Sequence, residues 1–124
     1  MTSRETARTP EDLTRLFVAR ANDRDAAGMA ALYAPDAVLA FPPGHTTVGR
    51  NAIRAVLAEF AEHAPLPLRE EEPLATVHYG DLALCSTRSQ DGTGVRVQVT
   101  KRQPDGSWLR IIDRPEAGPG QGQG

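Results

Sequence analysis

Leu13, Leu16 and Phe17 fall at i, i+3 and i+4, with Ala21 at i+8, which is the apolar stripe of an amphipathic helix. Thr9-Pro10-Glu11-Asp12 supplies its start: a hydroxyl that can cap a free N–H, a proline suited to the first turn, and acids at the positive end of the dipole. Arg20 interrupts the stripe, and its stem is expected to lie along the edge with the charge in water. Asp25 is placed to cap a second, shorter helix with Met29, Leu32 and Tyr33 on its buried side, ended by Pro35. Val38 to Phe41 is short and apolar and predicts a buried strand, closed by Pro42-Pro43-Gly44. His45 to Gly49 predicts a loop. Ile53, Val56, Leu57 and Phe60 restore the helical spacing, so a third helix is expected from Arg50 to about His63, stopped by Pro65 and Pro67.

From Leu74 the period changes from 3.6 to 2. Leu74–Tyr79, Leu82–Ser89, Val95–Arg102 and Trp108–Arg114 predict four strands, joined by Gly80-Asp81, Asp91-Gly92-Thr93-Gly94 and Pro104-Asp105-Gly106. Helices first and strands later, with one early strand, argue an α+β fold with helices on one face of a curved, mainly antiparallel sheet. One domain is expected over 9–115, after a flexible N-terminus at 1–8 and before a disordered Gly/Pro/Gln tail at 116–124. In the strand expected at Val95–Arg102, Val95, Val97 and Val99 are assigned to the core, with Arg96 and Gln98 opposite. Along the last strand, Leu109, Ile111 and Asp113 share one face and Trp108, Arg110, Ile112 and Arg114 the other.

Composition narrows the function. The 124 residues carry a net charge of −2, so no footprint for nucleic acid or an anionic membrane is expected. No apolar run approaches the ~20 residues of a membrane span, and no secretory leader is seen, so a cytoplasmic location is expected. The single cysteine, Cys85, lies in a strand-like stretch and is expected to be buried and inert. The histidines His45, His63 and His78 show no metal-ligand spacing. Glu70-Glu71-Glu72 is expected to be a solvated connection. No nucleotide or flavin motif appears, so no cofactor is expected.

Certain stretches carry a resemblance: Leu32-Tyr33-Ala34-Pro35-Asp36-Ala37-Val38, then Pro42, Gly44, Gly49 and Ile53, then Gly80-Asp81-Leu82-Ala83 and Asp105-Gly106-Ser107-Trp108-Leu109-Arg110-Ile111-Ile112-Asp113. Over roughly residues 10–114 the chain resembles the NTF2-like superfamily, closest in look to its SnoaL-like and ketosteroid-isomerase-like branch. The resemblance implies a cone with three N-terminal helices packed on the sheet. In the isomerase branch a general base precedes the proline that ends the first strand, and a tyrosine sits on the first helix. Here those positions are Phe41 and Phe17, which can neither accept nor donate a proton. The resemblance then leaves Asp113 as the acid best placed to inherit acid–base work, with His78 or Tyr33 as helpers. Phe17, Phe41, Val56, Phe60, Leu109 and Ile111 are expected to wall an apolar pocket for a polyketide- or steroid-like molecule. Cyclase- or isomerase-type turnover, binding without turnover, and a purely structural module all stay open at this point. A homodimer through the convex sheet face is expected, with Trp108, Arg110 and Ile112 sharing that surface.

Overall fold

Helix α1 (Pro10–Asn22) starts as the sequence requires. The Thr9 hydroxyl accepts from the Asp12 N–H at 3.2 Å, and the Asp12 carboxylate accepts from the Thr9 N–H at 3.3 Å, a reciprocal cap. Helix α2 (Ala26–Ala30) is capped by Asp25, which accepts from the Gly28 N–H at 2.9 Å. Helix α3 (Arg50–His63) buries Ile53, Leu57 and Ala61. The structure, a computed structural model, describes residues 4–90 and 92–115. The expected tail at 116–124, and Asp91 in its turn, lie outside the described residues.

The strands are β1 (Tyr33–Leu39), β2 (Thr47–Val48), β3 (Glu72–Pro73), β4 (Val77–Tyr79), β5 (Leu82–Arg88), β6 (Val95–Arg102) and β7 (Trp108–Arg114). They form one sheet in the order β2-β1-β7-β6-β5-β3, with β4 also on β5. The β1–β7 pair is parallel, while the other pairings are antiparallel. The three helices pack on one face of this sheet. The core between them joins Leu13 and Leu16 of α1, Met29 of α2, Tyr33 and Leu39 of β1, and Ile53 and Leu57 of α3. Burying each such side chain stabilises the fold by about 1.5–3 kcal/mol.

Several expectations are corrected. Tyr33 opens β1 instead of closing α2, because α2 stops at Ala30 and β1 starts five residues earlier than Val38. Pro35 and Asp36 lie in an exposed stretch where the β1–β7 register shifts, a place where proline's missing N–H goes unused. Thr47 and Val48 pair with β1 rather than forming only loop. Of the run expected at Leu74–Tyr79 only Val77–Tyr79 is strand, as β4, while β3 lies just before it at Glu72–Pro73.

Arg20 is not a surface cation. It is 8% exposed, and its guanidinium donates to the carbonyls of Gly28, at 2.8 Å, and of Glu5. That second bond helps tie down the segment expected to be free. Ala7 is 1% exposed, its carbonyl accepts from the Trp108 N–H at 3.0 Å, and Arg4 pairs with Asp25 at 3.2 Å. Residues 4–8 are therefore a strap packed on the domain.

The two faces of β6 are inverted relative to the valine reading. Gln98 and Thr100 are buried, while Val95 is exposed and Val97 and Val99 are half-buried. Polar side chains can face the helices because each finds a partner there: Gln98 donates to Asp113 at 3.1 Å, and the Thr100 hydroxyl to the Ala83 carbonyl at 3.4 Å. Trp108 and Arg110 are likewise buried, at 7% and 4% exposure, and lie off the expected dimer face.

Replacing Arg20 with Met leaves the buried Gly28 carbonyl, and the less buried Glu5 carbonyl, without their donor. Urea denaturation is expected to show a loss of about 1–3 kcal/mol, whereas the exposed Arg54→Met leaves the midpoint where it was. Equal midpoints for Arg20→Met and wild type would contradict the tethering role.

Candidate functional site

The site begins with a bulge in β7. Val99 pairs with Ile112 and Thr100 with Arg110, so Ile111 has no opposite number on β6. One extra residue reverses the alternation beyond it. Arg110 and Asp113, three apart, consequently both face the helices, where strict alternation would send them to opposite sides. The bulge explains why Leu109, Ile111 and Asp113 do not form one face. Leu109 lies opposite exposed Lys101, and Ile111 is the unpaired residue.

Inside the cone four polar side chains meet. The Tyr33 hydroxyl donates to Asp113 Oδ2 at 2.5 Å. Gln98 Nε2 donates to Asp113 Oδ1 at 3.1 Å. Arg110 Nη1 donates to the Tyr33 hydroxyl at 3.3 Å and lies 3.5 Å from Asp113 Oδ2. All four are buried. The Arg110 guanidinium carbon also lies over two rings, 4.9 Å from the Phe17 centroid and 5.7 Å from that of Tyr33, an arrangement attractive to a cation. Tyr33 is held from behind: Arg50, the first residue of α3, donates to its carbonyl from Nε at 2.9 Å and from Nη2 at 2.7 Å.

Burial pushes the Tyr33 phenol far above its ordinary value of 10.0, and the neighbouring Asp113 charge pushes it the same way. For Arg110, burial alone would lower the guanidinium, but Tyr33 and Asp113 hold it above its ordinary value. Cys85 is a buried thiol raised by desolvation, 3.7 Å from the Thr100 hydroxyl; such a thiol is a poor nucleophile.

Phe41 follows two residues after Leu39, the last residue of β1 and the register partner of Asp113. There a cleft of about 580 Å³ opens, lined by Phe41, Pro42, Ala55, Val56, Glu59, Phe60, His63 and Ala64. Phe41 and Phe60 meet edge to face with centroids 6.1 Å apart. Phe41, Val56 and Phe60 are thus brought together at the cleft. Phe17 is instead the ring on Arg110, and Leu109 and Ile111 pack half-buried on the core without lining the cleft. His78 lies against Trp108, with ring centroids 6.0 Å apart, and is not among the partners of Asp113. A second cleft of about 400 Å³ lies by Glu70, Glu71 and Glu72. Glu71 is not merely solvated there, since it holds Arg96 at 2.6 Å. Among the described residues no group of acids, histidines and cysteines could hold a metal ion.

Sequence reading missed Arg110, Gln98 and Arg50. The first two were placed on the wrong face, and Arg50 was read only as a helix start. Glycine and arginine in Gly49-Arg50 marked the turn but not its reach to Tyr33.

Fold and site together define an NTF2-like cone. A SnoaL-like domain model matches residues 14–113, and the chain belongs to the SnoaL-like family. Among solved structures, it is similar to a protein from Thiobacillus denitrificans described as a calcium/calmodulin-dependent protein kinase type II association domain, at 20% identity and a TM-score of 0.72, covering 94% of this chain and 98% of that one. It is also similar to a ketosteroid isomerase-like protein from Erwinia carotovora atroseptica, at 18% identity and a TM-score of 0.67, over 83% and 88% of the two chains. A protein from Catenulispora acidiphila in complex with S-DNPA matches at 23% identity and a TM-score of 0.61, over 86% and 89%. At these identities the likeness is one of fold. No curated protein matches the chain.

The raised phenol gives a pH signature. The stability Tyr33 contributes is complete below pH 10, the ordinary phenol value. Above it the unfolded chain sheds the proton and the folded chain keeps it, so stability falls with rising pH by up to about 1.4 kcal/mol per unit. Urea midpoints between pH 9 and 11 are expected to drop more steeply for wild type than for Tyr33→Phe. Parallel slopes would contradict the buried hydroxyl.

Proposed function

We propose that this SnoaL-like protein binds a small, largely apolar molecule of polyketide- or steroid-like shape at the cleft beside Phe41. The observation that carries the reading is the Phe41–Phe60 ring pair at the wall of a cleft of about 580 Å³, a volume within the range of small-molecule sites. A ligand complex in the Catenulispora protein and the isomerase-like description of the Erwinia one support a small-molecule role. The reading is of binding without turnover. Phe17 and Phe41 replace the proton-handling groups of the isomerase pattern, and Tyr33 and Asp113 are engaged with each other rather than lining the cleft.

A second reading, cofactor-independent acid–base chemistry of cyclase or isomerase type, is favoured by one contact, the 2.5 Å Tyr33–Asp113 hydrogen bond. A phenol donating to a carboxylate at that distance is the alignment an acid–base pair would use. His78 is left with no part in it. Incubation with polyketide or steroid ketones separates the readings: unchanged ligand recovered after saturation binding supports the first, and product formed by wild type but not by Asp113→Asn supports the second.

We also propose that a second copy of the chain covers the outer sheet face. Leu84 and Ile112, 45% and 50% exposed, flank half-buried Val97 and Val99 there, an apolar strip across three strands that a two-fold axis makes self-complementary. The association-domain description of the Thiobacillus protein supports self-assembly. No helix among the described residues is long and apolar enough to cross a membrane, and a cytoplasmic location belongs to the same reading.

Two measurements check these proposals. Phe60→Ala is expected to weaken binding of an apolar fluorescent probe such as 8-anilinonaphthalene-1-sulfonate about tenfold or more, by removing roughly 3 kcal/mol of buried ring contact at most; undiminished binding would place the ligand elsewhere. Val99→Glu is expected to halve the mass seen by sedimentation at micromolar concentration, while a wild type that already sediments as a monomer contradicts the dimer.

A further inference from the structure

Helix α3 meets the cleft beside Phe41 with two adjacent rows of side chains at i, i+4 and i+8: Val56, Phe60 and Ala64 in one, Ala55, Glu59 and His63 in the other. The first row is apolar. The second supplies the only polar side chains of the lining, Glu59 and His63. No lysine or arginine lines the cleft. Among the described residues, no ion pair or side-chain hydrogen bond engages the Glu59 carboxylate, which is exposed at the wall. His63 Nδ1 lies 3.0 Å from the Glu59 carbonyl oxygen. A carbonyl can only accept, so the ring donates there, and Nε2 of the neutral imidazole is left as an acceptor. Both polar side chains of the lining therefore offer lone pairs.

Three features of the wall carry the same electrical sign. The Glu59 carboxylate is a full negative charge without a partner. His63 closes α3, so the cleft lies along the last turns of the helix, at the negative end of its dipole. Arg24 answers part of that end through the Ala61 carbonyl, but Ala61 is on the buried side of α3, and neither residue lines the cleft. The rings of Phe41 and Phe60 present faces that attract a cation and repel an anion. A ligand carboxylate would meet like charge from all three. A neutral head group would gain little from them.

We infer that the cleft selects a cationic amphiphile: an apolar body against Phe41 and Phe60, carrying an ammonium nitrogen that donates to the Glu59 carboxylate. The inference rests on the reading that this cleft takes an apolar ligand, and it adds the charge of that ligand. It makes Glu59 a specificity-determining residue of the site.

Three probes of one shape test it by calorimetry on the full chain at low ionic strength and neutral pH: 2-(2-naphthyl)ethylammonium, 2-(2-naphthyl)ethanol and 2-naphthylacetate. Because Glu59 is exposed, the attraction is that of a solvent-facing pair, and wild type is expected to bind the ammonium about three- to fivefold more tightly than the alcohol. The carboxylate is expected to bind less tightly than the alcohol, and added salt to narrow both differences. Glu59→Gln, a substitution at an exposed position, is expected to abolish the preference for the ammonium and to leave the affinity for the alcohol unchanged. Glu70→Gln removes the same charge from the other cleft and is expected to keep the preference. Ammonium and alcohol bound equally by wild type would overturn the inference while leaving the cleft reading intact. A preference of the same size in wild type, Glu59→Gln and Glu70→Gln would trace it to the net charge of the chain and overturn the role of Glu59. Tightest binding of the carboxylate would overturn the cationic class. Failure of all three probes to bind would remove the cleft reading, and the inference with it.

Discussion

The Tyr33 hydroxyl on Asp113, at 2.5 Å, is the contact around which the cone closes. It crosses the parallel seam between β1 and β7, the pair whose register slips between Tyr33 and Val38. Where backbone pairing is interrupted, side chains hold the seam. Gln98 extends the link to β6, and Arg50 fastens the Tyr33 carbonyl to the first turn of α3. One buried carboxylate thus joins three strands directly and a helix through Tyr33. A buried charge is tolerable only with such company, because desolvation of a lone carboxylate costs several kcal/mol. Removing any partner therefore disturbs the sheet as well as the site.

Periodicity revealed the elements, and contact chemistry decided their faces. The spacing of Ile53, Val56, Leu57 and Phe60 was enough to find α3, and alternation was enough to find β6 and β7 at their observed bounds. A period of two, however, states that neighbours oppose each other without saying which side is inside. Apolarity pointed the β6 valines inward, yet Gln98 and Thr100 are the buried set. The deciding facts were partners distant in the chain: Asp113 for Gln98, and Ala83 for Thr100. The bulge at Ile111 was equally hidden, since no residue there is a glycine or otherwise marks an irregular strand. Tyr33 was misplaced for a related reason. Its helix-compatible neighbours suggested a continuation of α2, while tertiary bonds from Arg50 and to Asp113 hold it in a strand.

The inverted β6 has a consequence on both sides of the sheet. Valines on the outer face, beside Leu84 and Ile112, are surface that a solitary chain would leave in water at about 25 cal/mol per Å² of apolar area. Polar groups on the inner face are surface that an ordinary core would exclude. The inner polar groups are satisfied within the chain, Gln98 by Asp113 and Thr100 by the Ala83 carbonyl, whereas the outer apolar strip is left exposed.

Phe17 connects these observations to the isomerase pattern of the resemblance. The tyrosine of the isomerase pattern would present a hydroxyl at that position, and phenylalanine removes the donor. It does not leave the position inert, because its face lies 4.9 Å from the Arg110 guanidinium. The donor beside that ring sits on the last strand and is a cation, not a phenol. A phenol that loses and regains a proton can serve turnover, whereas a guanidinium held above its already high ordinary value stays charged at any physiological pH. A permanently charged, proton-retaining donor stabilises an oxygen without relaying a proton. With Phe41 standing where the base would be and Phe17 where the tyrosine would be, neither position of the isomerase pattern carries a group that handles a proton.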